Sequence, residues 1–152
     1  MQLTFKTEVG ASLQDVKSGF NRDLFLQLKP FFLQLKLDRF DGCERGHEVH
    51  LRTGLPGFLQ PWISRIVEDS FTENCWYFVD EGASLPFPLR SWRHRHEVRV
   101  TSKGTSEILD VIEYSSGNQL LDVILFVPLW IVFAGRASVY LRVFGMEQKV
   151  GE

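Results

Sequence analysis

Two runs of alternating side chains, joined by a short turn, constrain the fold of this chain most strongly. Successive side chains of a β-strand point to opposite faces of the sheet. Residues 92–100 therefore form one strand, whose predicted inner face carries Trp92, His94, His96, Val98 and Val100. Residues 106–114 form a second strand, whose predicted inner face carries Ile108, Asp110, Ile112 and Tyr114. Two neighbouring strands are thus expected to point histidines, a carboxylate and a phenol into an apolar interior, where polar groups need partners.

The turn between the two runs predicts how the strands pair. Ser102-Lys103-Gly104 fits a three-residue hairpin loop, whose last residue adopts the left-handed conformation that suits glycine. Closing this loop with Thr101 opposite Thr105 brings His96 opposite Asp110. Directly opposed Cβ atoms lie about 5 Å apart, so the His96 imidazole and the Asp110 carboxylate are predicted to form a buried hydrogen bond.

The composition is that of an ordinary globular domain, predicted to comprise residues 1–152. Hydrophobic residues make up 44% of the chain and charged residues 24%, with a formal net charge of −2. This balance offers no positive surface to compensate phosphates, so no nucleic-acid partner is expected. Cys43 and Cys75 are too few for a disulfide framework or a zinc knuckle. Because no secretory signal is visible at the start, a cytoplasmic location is expected.

Residues 120–135 form an apolar segment that resembles a short membrane span. The run is shorter than the about 20 apolar residues that a spanning helix needs, and it contains Asp122 and Pro128. We therefore interpret its first half as a buried loop and predict no integral membrane segment. Pro128 suits the first position of a helix, which is expected to run from there to near Gly145.

The remaining patterns predict an α+β fold. Residues 3–9 alternate as a first strand, and Ser12 and Asn21 are suited to cap two short helices after it. Further alternating runs and turn residues continue to residue 80. Together they predict a curved antiparallel sheet of six or seven strands wrapped around a long C-terminal helix. Such an arrangement leaves a hollow between the sheet and the helix.

Several local motifs in this order resemble those of a known superfamily. They are Arg39-Phe40-Asp41-Gly42, Trp92-x-His94-x-His96, Ile108-x-Asp110-x-Ile112-x-Tyr114 and Phe133-x-x-Arg136. The chain resembles the START-like (SRPBCC) superfamily, including its bacterial polyketide cyclase-like and lipid-transport-like domains. The resemblance implies a helix-grip fold and a cavity that binds a hydrophobic molecule, lipid-, polyketide- or quinone-like, without a cofactor.

The predicted ligand site combines the inner face of the hairpin with one side of the C-terminal helix. Its residues are Trp92, His94, His96, Asp110, Ile112, Tyr114, Trp130, Phe133, Ala137 and Tyr140. A binding or transport role without chemical change is preferred. One alternative is a cyclase, hydratase or hydrolase in which His96 and Asp110 act as an acid–base pair. The other alternative is a protein-interaction module.

Metal binding is a further possibility for the two hairpin histidines. His94 and His96 lie two residues apart on one strand face, and Asp110 or Tyr114 would complete a ligand set. The other two histidines, His47 and His50, have opposite parities on another strand, so no third imidazole is placed. A hydrogen-bonded pair that stabilises the hairpin is therefore preferred, and no metal is predicted.

Overall fold

The computed structural model describes residues 1–145, which form a single antiparallel sheet of seven strands and four helices. The strands are β1 (Gln2–Val9), β2 (Gln34–Phe40), β3 (Glu48–Leu55), β4 (Phe58–Phe71), β5 (Cys75–Ser84), β6 (Ser91–Val100) and β7 (Ser106–Ser115). The helices are α1 (Leu13–Gly19), α2 (Arg22–Gln27), α3 (Gln119–Ala134) and α4 (Arg136–Phe144). The strand order β1-β7-β6-β5-β4-β3-β2 puts β1 and β2 at opposite edges, and α1 and α2 connect them. This confirms the predicted α+β fold.

The two short helices begin at the predicted caps. The Ser12 hydroxyl accepts a hydrogen bond from the Asp15 amide at 3.1 Å. The Asn21 side-chain oxygen accepts from the amides of Asp23 and Leu24 at 3.0 and 3.1 Å. These bonds satisfy amides that have no partner within a first helical turn.

The β6–β7 hairpin has the predicted register. The Thr101 amide donates to the Thr105 carbonyl at 2.8 Å, and Gly104 has a φ of 78°. His96 consequently lies opposite Asp110. Since the register of a hairpin follows from its turn, this short loop fixes which side chains face the interior together.

The predicted start of the C-terminal helix is wrong. The helical segment begins at Gln119, because the Asn118 side chain caps it by accepting from the amides of Leu120 and Leu121. Residues 120–127, predicted as a loop, are therefore helical, and Pro128 lies inside α3. Proline costs a helix one amide donor, and here the capped apolar run continues through it. The segment ends at Phe144 before Gly145, as predicted.

The outer side of α3 is apolar and exposed. Its side chains are between 46% and 69% exposed at Leu120, Val123, Ile124, Val127, Trp130 and Ile131. By length and composition alone, the segment Gln119–Phe144 is apolar enough to cross a membrane, although a core helix meets the same criterion. The opposite side of the segment contacts the sheet through three buried aromatic residues, Phe133, Tyr140 and Phe144.

Buried side chains form two clusters on the inner face of the sheet. One includes Val16, Leu24, Trp76, Phe78, Ile108 and Phe144, and joins α1, α2 and α4 to the sheet. The other includes Leu3, Trp92, Ile112, Tyr114 and Phe133, and joins α3 to the sheet. Buried apolar area of this kind is the main stabilising contribution to a fold.

Candidate functional site

A cavity of about 200 Å³ lies between the inner face of the sheet, α2 and α3. Much of its wall is apolar, with Leu24, Leu28, Leu51, Trp62, Leu129 and Val132 among its residues. Its volume exceeds the about 150 Å³ that accommodates benzene in an apolar protein interior. Four of its polar lining residues come together, Asp80, His94, His96 and Arg136. The cavity is therefore mainly apolar with one polar cluster in its wall.

Adjacent strands supply Asp80, His94 and His96 of the polar cluster, with Asp110 behind them, and α4 supplies Arg136. Asp80 on β5 pairs with His94 on β6, and His96 on β6 pairs with Asp110 on β7. His94 Nε2 lies 2.8 Å from Asp110 Oδ1, and His94 Nδ1 lies 3.6 Å from Asp80 Oδ2. His96 Nε2 lies 3.3 Å from Asp80 Oδ2. Each imidazole therefore lies between two carboxylates.

His96 is within reach of Asp110 but makes the weaker contact. Its Nδ1 lies 3.2 Å from Asp110 Oδ1, within the distance that the register predicted. Among residues 1–145, however, this buried nitrogen has no partner with hydrogen-bond geometry. The well-formed bond to Asp110 comes from His94 instead. The His96 ring stacks on Phe78 with 4.3 Å between ring centroids, which orients it toward the carboxylates.

Other groups hold the two carboxylates from behind. The Tyr140 hydroxyl of α4 donates to Asp110 Oδ2 at 3.1 Å. The Trp92 indole donates to Asp80 Oδ1 at 3.3 Å. Each carboxylate thus has one oxygen bound to the scaffold and the other directed at the histidines, so the cluster is preorganised.

Burial and neighbouring charged groups shift the pKa values of the clustered side chains in opposing directions. Burial, helped by the neighbouring His96, lowers the pKa of His94 to about 4. Burial also opposes a charge on His96, but Asp110 and Asp80 outweigh it and raise the pKa of His96. Burial likewise opposes charge on the carboxylates, but the histidines outweigh it and lower the pKa of both Asp80 and Asp110. The cluster therefore combines lowered pKa values at Asp80, Asp110 and His94 with a raised pKa at His96.

Arg136 occupies the boundary between the cluster and the cavity. Its guanidinium lies over the Phe133 ring at 4.1 Å, and its Nη1 is 3.7 Å from Asp110 Oδ1. The buried Nε and Nη1 atoms have no hydrogen-bond partner among the described residues. A buried donor without an acceptor costs free energy, so these two atoms are available to an acceptor group in the cavity.

Solved structures share this architecture, although no protein-family model matches the sequence and no curated protein does. Protein CV1439 from Chromobacterium violaceum is 12% identical, with a TM-score of 0.69 over 96% of this chain and 98% of that one. A norcoclaurine synthase mutant from Thalictrum flavum, solved with a transition-state analogue, is 13% identical, with a TM-score of 0.62 over 93% and 94%. Ara h 8.0201 is 10% identical, with a TM-score of 0.56 over 93% and 98%. The chain has the helix-grip fold.

Within this helix-grip fold, the predicted site residues divide into three groups. Trp92, His94, His96 and Phe133 line the cavity. Asp110 and Tyr140 lie buried behind the histidines and contact them or each other. The remaining four residues, Ile112, Tyr114, Trp130 and Ala137, are not part of the cavity lining.

Those four residues have other surroundings. Ile112 is fully buried in the core, and the Tyr114 hydroxyl donates to the Asp122 carbonyl at 2.8 Å. Trp130 is 50% exposed and lies near Phe5 on the outer side of α3. The prediction of cavity wall is therefore wrong for Ile112 and Tyr114 on the sheet, and for Trp130 and Ala137 on the helix.

The position of the helix explains the error at Trp130 and Ala137. The lining residues Leu129, Val132, Phe133 and Arg136 follow the spacing of one helical face. Trp130 and Ala137 are each one position beyond that face, which turns them about 100° away from it. Gly135 has helical backbone angles, with a φ of −63° and a ψ of −22°, so this face continues from α3 to Arg136 in α4.

Two polar residues of the cluster were not predicted as site residues. Asp80 lies on the same face of β5 as Trp76 and Phe78, which are both buried. The sequence feature that could have identified Asp80 was a carboxylate on an otherwise apolar strand face. Arg136 lies three residues after Phe133 and so on the same face of the helix. The sequence feature that could have identified it was a single cation after a long apolar run.

The cysteines offer no nucleophile to this site. Cys43 lines the cavity, but burial raises the pKa of its thiol to about 12. Burial also raises the pKa of Cys75. Since the thiolate is the reactive form, these pKa shifts disfavour nucleophilic attack by either cysteine.

Proposed function

We propose that this protein binds a hydrophobic small molecule in the cavity between its sheet and α3, without changing it chemically. The observation that carries this proposal is the mainly apolar cavity with one polar cluster in its wall. Small-molecule sites are typically apolar, with a few placed polar groups that orient the ligand. The norcoclaurine synthase structure, which has the same fold and holds a transition-state analogue, supports a ligand-binding role.

The unpartnered atoms of Arg136 indicate the chemistry of the ligand. Both buried nitrogens are donors, so the matching ligand group is an acceptor oxygen of a carbonyl, hydroxyl or carboxylate. The apolar wall fits a ring or an acyl chain beyond that oxygen. A lipid-, polyketide- or quinone-like molecule combines these two features.

An enzymatic role at the same site is the alternative. His96 lines the cavity and lies between two carboxylates, which is a suitable arrangement for proton transfer to a bound substrate. The two roles differ in the fate of the ligand, because an enzyme releases a molecule of altered composition or structure.

Cavity-filling variants test the binding proposal. Leu129→Trp places a large side chain in the cavity, whereas Val127→Trp adds the same side chain on the exposed side of α3. Binding is measured by titration with the fluorescent apolar probe 1-anilinonaphthalene-8-sulfonate. We expect Leu129→Trp to weaken binding at least about tenfold, or 1.4 kcal/mol, and Val127→Trp to leave it unchanged. Equal binding by both variants would contradict a cavity site.

Native mass spectrometry of the purified protein distinguishes the two roles. A carrier is expected to retain a ligand that is recovered unchanged after prolonged incubation with the protein. Conversion of that ligand into a product would favour the enzymatic alternative.

A further inference from the structure

We propose that Asp80, His94 and His96 bind a divalent first-row transition-metal ion at the polar cluster of the cavity. Each residue offers one ligand atom there, and these atoms lie within 4.8 Å of one another. Asp80 Oδ2 faces both His94 Nδ1 and His96 Nε2. The inference does not depend on the proposed small-molecule ligand, because these side chains alone supply the ligand atoms.

The separations of these atoms match a shared ion. Asp80 Oδ2 lies 3.6 Å from His94 Nδ1 and 3.3 Å from His96 Nε2. Two ligands at zinc-like bond lengths of about 2.1 Å, arranged tetrahedrally, lie about 3.4 Å apart. These two separations are therefore those expected around one shared ion.

Proton positions in the cluster also favour a cation. A neutral imidazole carries one N–H, and the 2.8 Å bond to Asp110 assigns that proton of His94 to Nε2. The lone pair of His94 Nδ1 then faces the carboxylate oxygen of Asp80. Two acceptors that face each other repel, and a metal ion between them replaces this repulsion with two bonds.

The groups around the triad are those of a metal site. Asp110 Oδ1 lies 2.8 Å from His94 Nε2 and 3.2 Å from His96 Nδ1, which are the ring nitrogens directed away from the proposed ion. The Trp92 indole holds the second oxygen of Asp80. Metal-binding histidines usually donate their other N–H to a carboxylate, as His94 does to Asp110, which orients the ring.

The ligand set restricts the identity of the ion. Two imidazoles and one carboxylate suit Zn²⁺, Fe²⁺, Co²⁺ or Ni²⁺, whereas Ca²⁺ and Mg²⁺ prefer oxygen ligands throughout. The three side chains all line the cavity, so the open coordination position faces it. Three protein ligands with an open position characterise metal sites that bind or activate a further molecule.

Calorimetric titration with Zn²⁺ tests this inference. The protein is produced without a histidine tag and stripped with a chelator. We expect one Zn²⁺ per chain, with the affinity weakened by more than about a hundredfold in Asp80→Ala and in His96→Ala. Asp110→Asn is expected to weaken it about tenfold to hundredfold, because Asp110 positions the imidazoles.

His50→Ala is the matched control, because His50 forms a 2.8 Å histidine–carboxylate pair with Glu48 away from the cavity. It should leave Zn²⁺ affinity unchanged. Absence of stoichiometric Zn²⁺ binding by the unmodified protein would overturn the inference. Equal losses in His50→Ala and His96→Ala would also overturn it.

Imidazole NMR of the unmodified protein gives a result that does not depend on variants folding. The chain has four histidines, and Zn²⁺ should shift the ring resonances of His94 and His96 and leave those of His47 and His50 in place. The reverse pattern would assign the ion to the surface and contradict the inference. Binding of the apolar probe is measured separately, so failure of either proposal leaves the other testable.

Discussion

His94 donates to Asp110 across the β6–β7 hairpin at 2.8 Å, although its directly paired residue is Ile112. Diagonal neighbours on one sheet face are within reach of long side chains. The same Asp110 carboxylate accepts from the Tyr140 hydroxyl at 3.1 Å. One side chain therefore joins two strands of the sheet to α4.

Replacing Asp110 with alanine should destabilise the fold by about 3 kcal/mol, because it leaves the buried donors of His94 and Tyr140 without an acceptor. Urea denaturation measures the change. Glu113→Ala is the control, since it removes an exposed carboxylate from the same strand and should change stability by less than about 0.5 kcal/mol. Equal losses of unfolding free energy in Asp110→Ala and Glu113→Ala would show that the hydrogen bonds of Asp110 do not stabilise the fold.

The two sides of α3 should respond differently to truncation. Phe133 is 3% exposed and faces the sheet, whereas Val127 on the same helix is 60% exposed. Phe133→Ala should cost about 4 kcal/mol through lost burial and a new cavity. Val127→Ala should change the free energy of unfolding by less than about 0.5 kcal/mol. If thermal denaturation gave the larger loss for Val127→Ala, the orientation of α3 described above would be wrong.

The hairpin turn depends on a left-handed residue at Gly104. Its φ is 78°, and no atom lies within 4 Å of the position that a Cβ would occupy. Gly104→Ala should therefore cost about 1 kcal/mol from backbone conformation alone. Lys103→Ala, at a neighbouring position without a positive φ, should have little effect on the denaturation midpoint. Equal midpoints for both variants would argue against the left-handed turn.

Local patterns were sufficient to predict the hairpin but not the whole cluster. Alternation and the Ser102-Lys103-Gly104 loop place His96 opposite Asp110, because a short turn leaves one register. The pairing of Asp80 with His94 spans a longer connection, from β5 to β6, whose length does not fix a register. Asp80 therefore required the three-dimensional structure.

The C-terminal helix was harder to predict because two start signals compete. Pro128 and Asn118 both suit a helix N-terminus, and the structure uses the Asn118 cap. The cavity-facing residues of the helical segment are Leu129, Val132, Phe133 and Arg136. A sequence pattern specifies the period of a helix, but contact with the sheet specifies its rotation.

Asp122, in the first turn of α3, should make stability depend on acidity. The Ser116 amide and hydroxyl donate to this carboxylate at 2.6 and 2.7 Å, and these bonds, with one from Ser115, lower the pKa of Asp122. Because the folded pKa lies below that of the unfolded chain, the stabilisation is complete above about pH 4 and is lost as the pH falls through the folded value.

Asp122→Asn removes this titration while keeping the size of the side chain. Its melting temperature should be lower than that of the unmodified protein at pH 7, and the difference should shrink as the pH falls below about 4. Thermal denaturation followed by circular dichroism over this range measures the difference. Glu113→Gln, at an exposed position on β7, controls for the general loss of a negative charge. A difference that stayed constant, or grew, at low pH would mean that the Ser116 bonds do not favour the ionised form of Asp122.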